Sequence, residues 1–193
     1  MKKTILISGA GSGIGRSISN SLADAGYSII LLGRNRQALE ETFALLDTPS
    51  EHSIITADIR DAQSIQAGLR ELNPVLQGVV ANAGLGGENH YGENDRWHDI
   101  LETNLTGTYQ LVQEALPYFS AKDSGFRQII IVASILARLG VPGYSAYCAS
   151  KAGLLGLMRS WAVELASKKI LVNAICPGWV NTQMAVQGLE TFA

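Results

Sequence analysis

Tyr147, Cys148, Ala149, Ser150 and Lys151 are consecutive, and the four-residue step from Tyr to Lys puts a phenol and an ammonium on one helical face. A free phenol titrates at about 10, too high for a proton relay at neutral pH. An ammonium one turn away favours the phenolate, pulls that value down and makes Tyr147 a usable general acid/base. Ser134 lies thirteen positions upstream, at the end of an apolar run, where its hydroxyl can hold a carbonyl oxygen as charge develops on it. Together these side chains suit proton exchange on the oxygen of a carbonyl/alcohol pair. A Tyr and a Lys at this spacing also occur as a plain exposed helical pair, so the reading depends on what else the chain carries.

What such a reaction still lacks is a hydride, and the other end of the chain has the features of a site for a hydride carrier. The stretch Ile7-Ser8-Gly9-Ala10-Gly11-Ser12-Gly13-Ile14-Gly15-Arg16 follows one apolar run and leads into a helical pattern. Glycines let the backbone turn tightly and approach a pyrophosphate, whose charge is stabilised by free N–H groups and the positive end of the helix dipole. A plain glycine turn is the alternative, and the position between strand and helix speaks against it. In a dinucleotide-binding fold the end of the second strand lies beside the adenosine ribose, where an acid marks NAD. Here it reads Leu32-Gly33-Arg34-Asn35-Arg36, with no acid. Arg34 can pair bidentately with a 2′-phosphate that a carboxylate would repel, so NADP(H) is preferred and NAD(H) possible. The plainer alternative makes Arg34 and Arg36 a solvated helix start.

These groups need a scaffold that gathers them at one edge. Short apolar runs alternate with amphipathic stretches, which predicts an α/β protein, a three-layer doubly wound parallel sheet of about six strands. The strands are expected at Thr4–Ser8, Ser28–Leu32, Ser53–Ala57, Gly78–Ala81, Gln128–Ala133 and Ile170–Ile175. Between the first two, Ile14, Ile18 and Leu22 recur at helical spacing and Gly26 stands at a C-terminal cap. Long helices over Asp95–Ala121 and Tyr147–Lys168 carry Leu111, Leu154, Leu157 and Trp161 beyond the sheet-facing set, which predicts a homodimer or homotetramer. No repeat or linker divides residues 1–193, so one domain is expected.

The glycine segment resembles the TGxxxGxG motif of the short-chain dehydrogenase/reductases, with Ser8 for the usual Thr. Further matches follow in family order: Asp58 in ADIRD, Asn82-Ala83-Gly84 in VVANAG, Asn104 in ETNLTGTY, the Ser134 to Lys151 block, and ICPGWVNTQM after the sixth strand. The resemblance runs from residue 4 to residue 184 and is similar in character to 3-oxoacyl-acyl-carrier-protein reductases. It implies a Rossmann fold and a catalytic tetrad of Asn104, Ser134, Tyr147 and Lys151. It also implies a cofactor held by Gly9, Ser12, Gly13, Ile14 and Gly15, then by Arg34, Asp58 and Ile59, then by Asn82, Ala83 and Gly84. Tyr147 and Lys151 would bind the nicotinamide ribose, and Pro177, Gly178, Val180 and Thr182 would close over the nicotinamide. Asp58 would meet the adenine amino group, and Asn104 would hold a water relay to Lys151. Such an enzyme interconverts a carbonyl and a secondary alcohol on a small-molecule or acyl-thioester substrate. A noncatalytic cofactor-binding regulator and an NAD-dependent sugar or steroid alcohol dehydrogenase are the alternatives. Family members usually continue into a substrate loop, a further helix and a seventh strand, and in this sequence, which ends at Ala193, that strand is expected to be missing.

Composition narrows the partners. A net charge of -2 leaves no basic stripe for nucleic acid. Cys148 and Cys176 lack zinc-site spacing and are too few for a disulfide framework, so no metal is expected, the thiols read as buried or inert, and a reducing, cytoplasmic setting fits. The apolar run after Lys2 and Lys3 is too short for a secretory leader, and no stretch is long enough to span a membrane. Lys122, Arg127, Lys168 and Lys169 could attract an acidic carrier protein, or simply form a solvated rim.

Overall fold

The computed structural model describes residues 2–119 and 125–182, so Lys122 and the expected helix end at Ala121 lie outside the described residues. Among the described residues, six parallel strands form one sheet: β1 (Thr4–Ser8), β2 (Ser28–Gly33), β3 (Ser53–Thr56), β4 (Leu76–Ala81), β5 (Arg127–Val132) and β6 (Ile170–Ile175). Their spatial order is β3-β2-β1-β4-β5-β6, the doubly wound Rossmann arrangement. The order reverses between β1 and β4, and the crevice beyond their carboxyl ends is where such sheets take ligands.

Strand alternation sends side chains to two cores. Ile5, Ile7, Ile29, Leu31, Val80 and Val132 pack with α1 (Gly13–Asp24) and α2 (Arg36–Phe43) on one face. Leu6, Ile30, Leu32, Ile55, Val79, Ile129 and Ile131 point the other way. There they meet α3 (Ala62–Leu72), α5 (Gly107–Ala115) and α6 (Ser145–Glu164). Strands buried on both faces read as near-continuous apolar runs, which is why the sequence locates all six.

The expected helix over Asp95–Ala121 takes a more broken form. It runs as α4 (Trp97–Leu101), a π-helical turn over Glu102–Thr106, α5, and a 3-10 turn over Leu116–Tyr118 containing Pro117. The π turn adds a residue to the spiral and buries Asn104 completely. The expected Tyr147–Lys168 helix begins earlier, at Ser145, and ends at Glu164, with a 3-10 turn over Ala166–Lys168.

The apolar surplus on these helices is absorbed within the chain. Leu111, Leu154 and Trp161 are buried in the core and Leu157 packs against it, so these four are not a free interface. Trp161 stacks on Tyr109 with ring centroids 6.0 Å apart. Tyr109 and Val163 are the exposed large apolar side chains of α5 and α6. Arg127 is also no part of a solvated rim: it is buried and donates to the Lys168 carbonyl, while Lys168 and Lys169 are exposed. Among the described residues, no helix is long and apolar enough to cross a membrane.

Candidate active site

The glycine loop sits at the switch point and is held there from β4. Ser8 keeps the hydroxyl that a Thr would supply: its Oγ accepts from the backbone N–H groups of Asn82 at 3.0 Å and Ala83 at 3.1 Å. Asn82 Nδ2 donates in return to the carbonyls of Ser8 and Gly9. Gly9 has φ +65°, and a Cβ there would lie 2.8 Å from Ala83 Cα. At Gly15 a Cβ would come within 2.2 Å of the Gly9 carbonyl oxygen. The loop is therefore shaped by contacts that only glycine permits, and it delivers the start of α1 to the crevice.

Ser12 is the extended residue before α1, makes no side-chain cap, and the first turn holds no acid. An anion thus meets the open N–H groups and positive dipole end without a competing carboxylate. Gly13, Ile14, Pro177, Val180 and Thr182 line one cleft beside this turn, joined by Ser17, Ile18 and Asn181. Gly178 lies exposed on the same 177–182 segment. These residues fit a pyrophosphate followed by a nicotinamide.

Just past β2, Arg34 is half exposed, with Nη1 3.8 Å from Asp58 Oδ2. Asn35 is engaged in capping α2, accepting from the Ala38 N–H, and Arg36 pairs with Glu40 at 2.7 Å. Of the three, Arg34 is the side chain least tied to its own helix. Asp58 is gripped by Arg60, whose guanidinium reaches both carboxylate oxygens and whose backbone N–H also donates to Oδ1. That grip is the main reason the Asp58 carboxyl is held below the usual carboxylate range. Ile59 turns its side chain into the core, against Gly107, leaving only its backbone to face a ligand.

The chemical groups converge at the carboxyl ends of β4 and β5. Ser134 follows β5, is buried, and its Oγ accepts from the Leu136 N–H while lying in hydrogen-bonding reach of the Tyr147 phenol. Tyr147 is in the first turn of α6, its ring edge-on to Tyr144 at 6.4 Å. Lys151, one turn on, is buried; Nζ donates to the Val132 carbonyl at 2.9 Å and sits 5.6 Å from the Tyr147 ring centroid. Gly84 makes room beside it, since a Cβ there would lie 3.0 Å from Asn104 Oδ1 and 3.4 Å from Lys151 Nζ.

Two expectations change here. The phenol is not lowered by the ammonium; burial raises it above its ordinary value, and the bond with Ser134 only partly opposes this. The ammonium lies over the ring, 5.6 Å from its centroid, and burial lowers Lys151 to about 8. Asn104 binds the Leu85 backbone at both ends, accepting its N–H at 2.7 Å and donating to its carbonyl at 2.9 Å. Its remaining donor goes to Ser150 Oγ, which bonds the Tyr147 carbonyl. The thiols also differ from expectation: Cys148 is half-buried, and Cys176 is exposed just past β6.

Sequence reasoning missed Arg60, Ser150 and Arg16. Arg16 Nη2 donates to the Gly11 carbonyl at 2.6 Å and Nε to Thr42 at 2.9 Å, tying the glycine loop to α2. Arg60 carried a signal, a cation two residues from an expected site acid; the other two act on backbone or buried groups that a sequence does not place.

Comparison with known proteins agrees with this geometry. The family model described as short chain dehydrogenase matches residues 3–191. The 3-oxoacyl-(acyl-carrier-protein) reductase of Staphylococcus aureus is 35% identical over 191 residues, 95% of this chain and 77% of the relative. A variant of actinorhodin polyketide ketoreductase, crystallised with NADPH, superposes with TM-score 0.89 at 32% identity, over 99% of this chain and 76% of that one. Carveol dehydrogenase of Mycobacterium avium in complex with NAD gives TM-score 0.90 at 30% identity, over 98% and 76%.

Proposed function

Because this chain belongs to the short-chain dehydrogenase/reductase family, an oxidoreductase of the carbonyl/alcohol couple, we propose that it is NADP(H)-dependent, with Tyr147 as general acid/base and a 3-oxoacyl thioester as substrate. The observation that carries this is the half-buried Tyr147 within reach of the buried Ser134 and beside the buried Lys151, at the carboxyl end of the sheet. The glycine loop and the start of α1 would hold the pyrophosphate, Arg34 the 2′-phosphate, and Lys151 with Tyr147 the nicotinamide ribose. When bound, the nicotinamide supplies or takes up the hydride at the substrate carbon.

The chain's own residues manage the proton. Burial keeps the Tyr147 phenol protonated at neutral pH, the form that can donate to a carbonyl oxygen during reduction. Ser134 holds that oxygen in place. Lys151, at about 8, is still largely charged at neutral pH and offsets the negative charge left on the phenol after transfer. Asn104 keeps the segment after β4 fixed to α6 through Leu85 and Ser150. The same proposal includes a homodimer or homotetramer using the α5–α6 surface at Tyr109 and Val163, one domain, and a cytoplasmic setting.

The test is oxidation of NADPH and of NADH with acetoacetyl-coenzyme A, a sugar ketone and a steroid ketone. The proposal expects turnover with NADPH and the thioester. Tight NADPH binding without turnover on any carbonyl would point to a noncatalytic regulator and overturn it.

A further inference from the structure

Asn89 lies in the segment between β4 and α4, outside every motif discussed above, yet it is only 4% exposed. Both ends of its side-chain amide are engaged. Oδ1 accepts from the Ala146 N–H at 2.9 Å and from Ser145 Oγ at 3.1 Å, and Nδ2 donates to Asp95 Oδ1 at 3.2 Å. Its own backbone N–H donates to the Gly143 carbonyl at 2.8 Å.

These bonds join three elements. Tyr144, the residue before α6, provides no side-chain cap, so the open N–H of Ala146 is met from fifty-seven positions away in sequence. Ala146 immediately precedes Tyr147. The partner Asp95 also accepts from the Trp97 N–H at 3.0 Å, which ties the same knot to the start of α4. Arg96 firms the segment from its other side, donating to the carbonyls of Gly86 and Glu88.

We propose that Asn89 is a positioning residue for Tyr147: it caps α6 from outside and fixes the 85–96 segment to the loop ending at Gly143. The 85–96 segment and the first turn of α6 then hold one geometry. The proposal rests on the acid/base role of Tyr147. Its chemistry predicts a specific exchange, because an amide is needed only to offer an acceptor to α6 and a donor to residue 95. Asn89→Asp with Asp95→Ser keeps both bonds with the donor moved to position 95: one oxygen of Asp95 takes both bonds, and a hydroxyl there can donate to a carboxylate at 89 while its oxygen still accepts from the Trp97 N–H.

The experiment measures kcat with acetoacetyl-coenzyme A, NADPH affinity and amide hydrogen exchange at Ala146 in the full chain. Asn89→Ala should lower kcat about tenfold or more, as misplacement of a reacting group does, while NADPH affinity stays within about twofold. Exchange at Ala146 should quicken, and the double swap should restore both readouts. Wild-type kcat in Asn89→Ala overturns the proposal, as does a loss matched in NADPH binding or one that the swap does not recover. Tyr147→Phe, run alongside, separates the two readings. Full turnover in Tyr147→Phe would sink the acid/base role and this proposal with it. An inactive Tyr147→Phe beside a fully active Asn89→Ala would sink the Asn89 proposal alone.

Discussion

Replacing Lys151 with Met should abolish turnover and stabilise the fold at the same time. Lys151 is buried, and burial lowers it from the ordinary 10.5 to about 8. That depression corresponds to roughly 3 kcal/mol against the ammonium in the folded chain. The unfolded chain therefore holds more protons between about 8 and 10.5, and the contribution of Lys151 to stability rises with pH across that window. Below about 8 the full penalty is present. Met has similar bulk and no charge, but it leaves the Val132 carbonyl without its 2.9 Å donor. Losing that bond costs about 1 kcal/mol, for a net gain of roughly 2 kcal/mol at neutral pH. For a chain of this size the gain corresponds to a Tm rise of about 4 to 8 °C. Parallel urea titrations of both proteins at neutral and at strongly alkaline pH provide the assay, since most other titrations are shared and cancel. At the alkaline end the gain should disappear and leave the variant about 1 kcal/mol less stable than the parent, since only the lost hydrogen bond then counts. A variant less stable than the parent at neutral pH, or a gain that ignores pH, would refute the reasoning.

Tyr147→Phe should cut turnover by about 10²- to 10⁴-fold while NADPH binds as before, checked by steady-state kinetics beside a binding titration. Arg34→Ala should weaken NADPH by about 1 to 2 kcal/mol, the smaller end of a charge-assisted pair because solvent screens it, with calorimetry showing NADH unchanged. Gly33→Asp should reverse that preference, since its Cβ would meet only the flexible Leu39 side chain, at 3.3 Å. Gly15→Ala forces a Cβ to within 2.2 Å of the Gly9 carbonyl, so both thermal stability and NADPH affinity should fall; stability at the parental level would show that the loop is not packed as described.

The sheet was legible because its strands are short apolar segments bounded by turn residues, and the observed ends lie within two residues of those expected. Helix ends were less so. Periodicity continues through Leu116 and Pro117, but proline cannot carry the hydrogen bonding of an α-helix interior, and α5 gives way there to a 3-10 turn. The apolar surplus on α5 and α6 was ambiguous for a different reason. A helix that meets both a sheet and a neighbouring helix buries two faces inside one chain, as the Tyr109–Trp161 stack does, and a one-dimensional pattern cannot tell that from a subunit contact.

Within the site, residues recognisable by chemical type were found, while those whose partners are backbone atoms were not. Ser134, Tyr147 and Lys151 stand out as candidates because few side chains do their chemistry, whereas Asn104 was marked only by the family resemblance. Asn89, Ser150 and Arg16 bind carbonyls or amides, and any residue has those; only the fold decides which one lies within reach. The direction of the Tyr147 shift belongs to the same class of error. Four-residue spacing correctly places Lys151 beside Tyr147, yet it does not determine whether the ammonium meets the ring face or the oxygen. Lys151 reaches past the ring to the Val132 carbonyl, so burial sets the phenol's protonation and leaves it a donor. If Tyr147 has the acid/base role proposed for it, a phenol held neutral in this way has the proton needed by a new alcohol already in place at neutral pH.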